Sequence, residues 1–96
     1  MHLQAVEKHH PEVARIQPTF HCLLRFRQRV KLPPGTDVAI ERLTESLDRA
    51  DLTAMAPAWL AGRERGARMW ALDGDLAFPL TQSGGGTWTA TTCLRK

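Results

Sequence analysis

The sequence predicts an α+β fold, with two or three N-terminal helices packed on one face of a small antiparallel sheet, a three- to four-stranded C-terminal meander. Three observations predict it. Apolar residues recur at helical spacing over residues 20–30 and 36–50, the period changes to that of strands from Arg68 onward, and an Asp73-Gly74-Asp75 turn separates two of the later apolar runs. Runs of helix followed by runs of strand are the signature of an α+β arrangement. A chain of 96 residues has room for one modest core, so residues 1–96 read as a single compact domain, with 1–17 as an N-terminal helix or arm and 18–96 as the functional core.

The elements follow in order. "HLQAVEKHHPEVARIQ" carries Leu3, Val6, Val13 and Ile16 but is interrupted by Pro11, which predicts one short helix or a frayed arm. Thr19 can cap a helix from Phe20 to about Val30, and Pro33-Pro34-Gly35 stops it. A second helix opens with Thr36 or Asp37 as its cap and repeats Ile40, Leu43, Leu47 and Ala50 along one face. Residues 51–67, with Pro57 and two glycines, read as a long connection that packs Trp59 and Leu60 without regular structure. "RMWAL" and "LAFPL" then flank the tight turn, and a "TQSGGG" loop leads to a last strand, "TWTATTCL". Pro79 belongs near a strand end, where a missing N–H is tolerated.

Formal net charge is +3, which biases partners toward polyanions. No apolar run approaches the roughly 20 residues of a membrane span, and the N-terminus lacks a signal-peptide core, so a cytoplasmic protein with no membrane partner is expected. Cys22 and Cys93 form no CxxC pair and read as reduced thiols. His2, His9 and His10 lack zinc-ligand spacing with those cysteines, so neither a metal nor another cofactor is expected. "SGGG" lacks the Gly-Lys-Ser/Thr ending of a phosphate loop. Cys22 and His21, as helix neighbours, point about 100° apart and make no nucleophile pair. Trp59, Trp70 and Trp88 are needed for the core rather than for stacking bases.

Chemistry concentrates in "PTFHCLLRFRQRV". Leu23, Phe26 and Val30 fall within about 60° of one another and form a core-facing stripe. His21, Arg25 and Arg29, four apart, advance only about 40° per step and occupy a face roughly opposite, with Arg27 pointing elsewhere. A solubilising face usually mixes signs, yet no acidic residue occurs between residues 13 and 35. A neutral imidazole beside two fixed cations is what a general base acting on a phosphate ester needs, and a helix start offers unpaired N–H groups to the same anion.

The pattern His21-x-x-x-Arg25-Phe26-x-x-Arg29, an acid-capped helix, a strand hairpin and a final "TATTCLR" resemble the small bacterial toxin nucleases of the barnase, EndoU, colicin D and RelE superfamily. The resemblance spans roughly residues 20–95. It implies a metal-independent endoribonuclease, residues 18–96 being the nuclease-like core, that activates a ribose 2′-hydroxyl against the adjacent phosphate of a tRNA or mRNA. By resemblance His21 transfers the proton, Arg25 and Arg29 hold the phosphate, and Thr92 hydrogen-bonds it, with Thr91 as the rival. Trp88, Ala90, Thr92 and Leu94 share one face of an uninterrupted strand and Thr91 the other. Arg27, Arg95 and Lys96 are candidate RNA contacts, and Glu64 or Asp75 a candidate second acid/base group. A toxin further implies an antitoxin or immunity protein over the basic face, and delivery into a target cell's cytoplasm if it is part of a secreted toxin. The alternatives are a non-catalytic RNA-binding module and a protein-interaction module.

Overall fold

The computed structural model describes residues 3–33, 35–60, 62 and 66–96. The first segment is neither a helix nor a loose arm. It is a hairpin of two short strands, β1 (Val6–Glu7) and β2 (Arg15–Pro18), paired antiparallel through Val6 and Ile16. Lys8 N–H donates to Ala14 O at 2.9 Å and Glu12 N–H to His10 Nδ1 at 3.1 Å, so "HHPE" is the hairpin's turn. β2 also runs parallel to a strand far along the chain, β6 (Thr87–Ala90), with Ile16 opposite Trp88, and the Trp88 indole N–H closes the turn by donating to Glu12 O at 2.9 Å. Two- and four-residue strands are too short to show a period, and their stabilising partner is remote; no local pattern marks them.

Helix α1 (Phe20–Val30) lies where its cap and stop signals predict: Thr19 Oγ1 accepts from Cys22 N–H at 3.0 Å, and Lys31 ends the helix with φ of 54°. Helix α2 (Thr36–Arg49) begins one residue earlier than a Thr36 cap predicts and two earlier than an Asp37 cap. Its N-cap is Gly35, with no side-chain cap bond. The end of α2 is closed from outside, because the Lys8 ammonium donates to Leu47 O, Asp48 O and Ala50 O at 3.0, 2.8 and 2.9 Å. Three donors meet three C-terminal carbonyls at the negative end of the helix dipole.

The chain after α2 is more regular than predicted. β3 (Asp51–Thr53) and a single 3-10 turn (Ala58–Leu60) precede the meander of β4 (Met69–Asp73), β5 (Leu76–Gly84) and β6, and a last strand β7 (Leu94–Arg95) pairs beside β5. Gly74 takes φ of 60° at the first position of the two-residue β4–β5 turn, the position that a type II′ turn gives to glycine. β5 extends through Gly84, so the predicted six-residue loop shrinks to Gly85 and Gly86. A Cβ on Gly86 would stand 3.0 Å from Ala14 Cβ, where the β1–β2 hairpin lies against this turn.

The predicted architecture is therefore corrected. Among the described residues seven strands form one mixed sheet in the order β1-β2-β6-β5-β4-β3 with β7 beside β5, and the two helices lie mid-chain rather than ahead of a C-terminal antiparallel meander. Alternation within β4 and β5 serves two cores. Met69, Ala71, Leu76 and Phe78 join the larger one with Leu23 and Phe26 of α1 and Leu43 and Leu47 of α2. Trp70 and Ala77 point to the other face, where Leu60 and Trp59 of the 3-10 turn cover them. Trp70 and Trp88 are core residues, as expected of the tryptophans, and Phe26 stacks on Phe78 with ring centroids 6.3 Å apart.

Two predictions follow from how α2 is tied down. Lys8→Met removes the cap of α2 and leaves three carbonyls in need of donors; the loss expected is about 2 kcal/mol, read from urea denaturation. Asp73 accepts from Ser46 Oγ at 2.6 Å and from Arg49 Nε at 3.0 Å. Burial alone would raise its pKa, but the hydrogen bonds from Arg49 and Ser46 and the Arg49 charge outweigh it and hold the carboxyl below its ordinary range. Its contribution is thus complete above the unfolded value of about 4 and disappears as pH falls through the lower folded value. Asp73→Asn should unfold more readily at neutral pH and show a shallower loss of stability below about pH 4, both measured as urea midpoints.

Candidate functional site

The site is built where α1 lies along the segment between β6 and β7. β5 pairs Leu80 with Ala90 and Ala77 with Leu94, which leaves residues 91–93 opposite only Phe78 and Pro79, one extra residue and hence a β-bulge. Pro79 is the cause. Thr91 N–H donates to Pro79 O at 3.3 Å, but the return bond cannot form because proline has no N–H. Pro79 is accordingly not near a strand end; it sits inside β5 at the one place where the neighbouring strand is interrupted.

Helix α1 supplies the donors that the ladder lacks. The Thr19 hydroxyl lies 3.3 Å from both Ala90 O and Thr91 O, Cys22 Sγ donates to Thr92 O at 3.6 Å, and Arg29 Nε donates to Cys93 O at 3.4 Å. Arg95 Nη1 in turn donates to Arg29 O at 2.5 Å. The bulge also shifts strand parity. Cys93 joins the core under the helices while Leu94 faces the second core, so the predicted face shared by Trp88, Ala90, Thr92 and Leu94 breaks at Leu94. Thr92 is buried and Thr91 half-buried, both beside the start of α1 through their backbones.

The predicted line of His21, Arg25 and Arg29 is tilted. The buried face of α1 is Cys22, Leu23 and Phe26, with Val30 only partly covered. Arg29, seven residues beyond Cys22, lies within about 20° of it, at the margin of the buried face. The line thus runs from exposed His21, past half-buried Arg25, to Arg29 against the bulge. Arg25 Nη1 donates to Gln28 Oε1 at 3.0 Å. The N–H groups of Phe20 and His21 have no acceptor among the described residues, those of Cys22 and Leu23 being taken by the Thr19 hydroxyl and carbonyl.

The remaining candidates separate from His21. Asp75 pairs with Arg95 Nε at 2.9 Å and its carbonyl accepts from Lys96 N–H at 2.8 Å. All three residues lie at the C-terminal end of α1, eight residues from His21, or about 12 Å along the axis. Glu64, like His2, lies outside the described residues. Arg27, the arginine that periodicity sets apart, has a buried Nε with no acceptor and lines a cleft of about 330 Å³ with Leu24, Gln28 and Leu32. Helical period already separates Arg27 from Arg25 and Arg29; the tertiary packing adds the burial of its Nε and the cleft beside it. A second cleft, of about 190 Å³, opens between Phe26, Arg42 and Glu45, and His21 lines neither.

Among the described residues no group of three or more histidine, cysteine or acidic side chains is placed to hold a metal ion, and no helix is long and apolar enough to cross a membrane. Comparison with protein-family models, curated proteins and solved structures returns no match. The resemblance to the toxin nucleases rests on the motif residues alone.

Burial pushes the Cys22 thiol far up, with Cys93 nearby adding to it, and burial pushes Cys93 up to about 12 against the opposing charges of Arg29 and Arg95. Thiolate is the reactive form, so both cysteines should label slowly with a disulfide reagent at about pH 8 in the folded chain and rapidly in urea. Fast labelling of the native protein would mean that α1 lifts off the bulge.

Proposed function

We propose that the chain is a metal-independent endoribonuclease working from the basic face of α1. The observation that carries this reading is an imbalance of charge. Among the described residues Arg15, Arg49 and Arg95 each pair with a carboxylate, whereas neither Arg25 nor Arg29 on this face does. Positive charge left unpaired along one short helix favours an anion from outside, and the free N–H groups of Phe20 and His21 favour the same anion at its start.

In this reading a phosphodiester rests against Arg25 and the start of α1. His21, exposed on the first turn, accepts the proton of the ribose 2′-hydroxyl; the 2′-oxygen attacks phosphorus, and the 5′-oxygen leaves with a proton from water, giving a 2′,3′-cyclic phosphate. Arg29 contributes charge at the margin while its Nε braces the bulge. Thr92 and Thr91 support the site from behind the helix start. Asp75, held by Arg95 at the far end of α1, is not the second acid/base group of this proposal. RNA as substrate favours the cytoplasm, and an inhibitory antitoxin or immunity protein would act by covering α1.

The position of His21 outside both clefts favours a second reading, a non-catalytic RNA-binding module using the same arginines. Total tRNA incubated with the chain in the presence of a chelator separates the two. The ribonuclease reading expects cleavage that drops about 10²- to 10⁴-fold in His21→Ala. Equal cleavage by both proteins would remove His21 from the mechanism. Binding without cleavage, weakening steeply as salt rises, would establish the second reading.

A further inference from the structure

The flank of α1 turned away from the bulge has features that phosphate binding does not account for. Phe20, Leu24 and Arg27 lie within about 60° of one another and form a stripe down the helix. Phe20 and Leu24 are 55% and 53% exposed, two of the four large apolar side chains that the described residues leave open to water. The stripe runs into the cleft of about 330 Å³ where Leu24 and Leu32 supply apolar walls and Gln28 and Arg27 the polar ones. Arg27 Nε is the one buried side-chain polar atom without a partner among the described residues. An N–H buried unpaired is unfavourable, and a guanidinium without a carboxylate partner is a strong donor in search of one.

We infer that this flank docks an amphipathic helix of a partner protein, with apolar residues over Phe20 and Leu24 and a carboxylate one turn further on that takes Arg27. The charge on both sides specifies the occupant. No acidic residue lies between residues 13 and 35, the cleft beside Arg27 is lined by no carboxylate, and Lys31 stands exposed at the end of the same helix, so the charge of this flank complements an acidic segment. The apolar half selects protein over RNA, because an aliphatic Leu24 beside Leu32 offers a nucleic acid backbone nothing to bind. Arg27 Nε is covered in the free chain and gains its acceptor when the flexible arm turns outward into the cleft. The inference does not depend on the ribonuclease reading, since Arg27 and Arg29 are about 200° apart around α1 and serve opposite flanks.

The side-chain Nε–H resonance of Arg27 reads this directly in the ¹⁵N-labelled chain. The probe is a synthetic amphipathic helix carrying leucines on one face followed one turn later by two glutamates, compared with its glutamine analogue and with oligouridylate. The glutamate peptide should shift Arg27 Nε–H together with the amides of Phe20, Leu24 and Leu32, and bind about tenfold more tightly than the glutamine peptide. Arg27→Gln and Leu24→Ala should each weaken it about tenfold, with melting curves confirming that the variants fold. If a variant fails to fold, the two peptides on the wild-type chain decide. Equal affinity of the two peptides, no shift from either, or a shift from oligouridylate alone would overturn the proposal. So would concentration-dependent self-association abolished by Leu24→Ala, which would make a second copy of the chain the occupant.

Discussion

The sheet and the first helix meet at the bulge opposite Pro79, a residue with no backbone hydrogen to donate. Pro79 lies inside β5, where every residue is expected to serve a neighbour, and it returns no bond to Thr91. The neighbouring strand divides into β6 and β7 at this point, and the carbonyls of residues 91–93 take donors from outside the ladder. Thr19, Cys22 and Arg29 of α1 provide them. Buried backbone acceptors are rarely left without donors, so the break in the sheet and the position of the helix are one arrangement seen from two sides.

The same break decides which residues share a face. One extra residue in the bulge carries Cys93 toward the helices and Leu94 toward the opposite face, where Trp70 and Ala77 meet the 3-10 turn. A sheet covered on both faces needs a cover for each. The helices supply one and the Trp59–Leu60 stretch the other, which is why a segment with little regular structure still contributes to the core. Lys8 performs for α2 what α1 performs for the bulge, closing carbonyls that have no partner of their own.

Charge on α1 divides along the geometry this produces. Arg29 is drawn to the bulge, Arg25 stays on the outer face with His21, and Arg27 sits in a cleft on the other flank. Three arginines within five residues of one another thus have three environments. Among the described residues the carboxylates that form ion pairs do so with Arg15, Arg49 and Arg95 and none with α1, so the helix keeps an uncompensated charge on both of its open flanks.

By itself the sequence determined what rests on neighbours in the chain: α1 with its Thr19 cap, the body of α2, the Gly74 turn and the meander around it, and the presence of His21, Arg25 and Arg29 on one slowly turning line. Local rules suffice for these because helical period, capping and two-residue turns act over four residues or fewer. Tertiary structure alone decided the β1–β2 hairpin, its parallel pairing with β6, the bulge opposite Pro79 and the separate fates of the arginines. Each of those depends on groups brought together from distant parts of the chain, where a hydrogen bond or its absence leaves no periodic trace in the residues on either side.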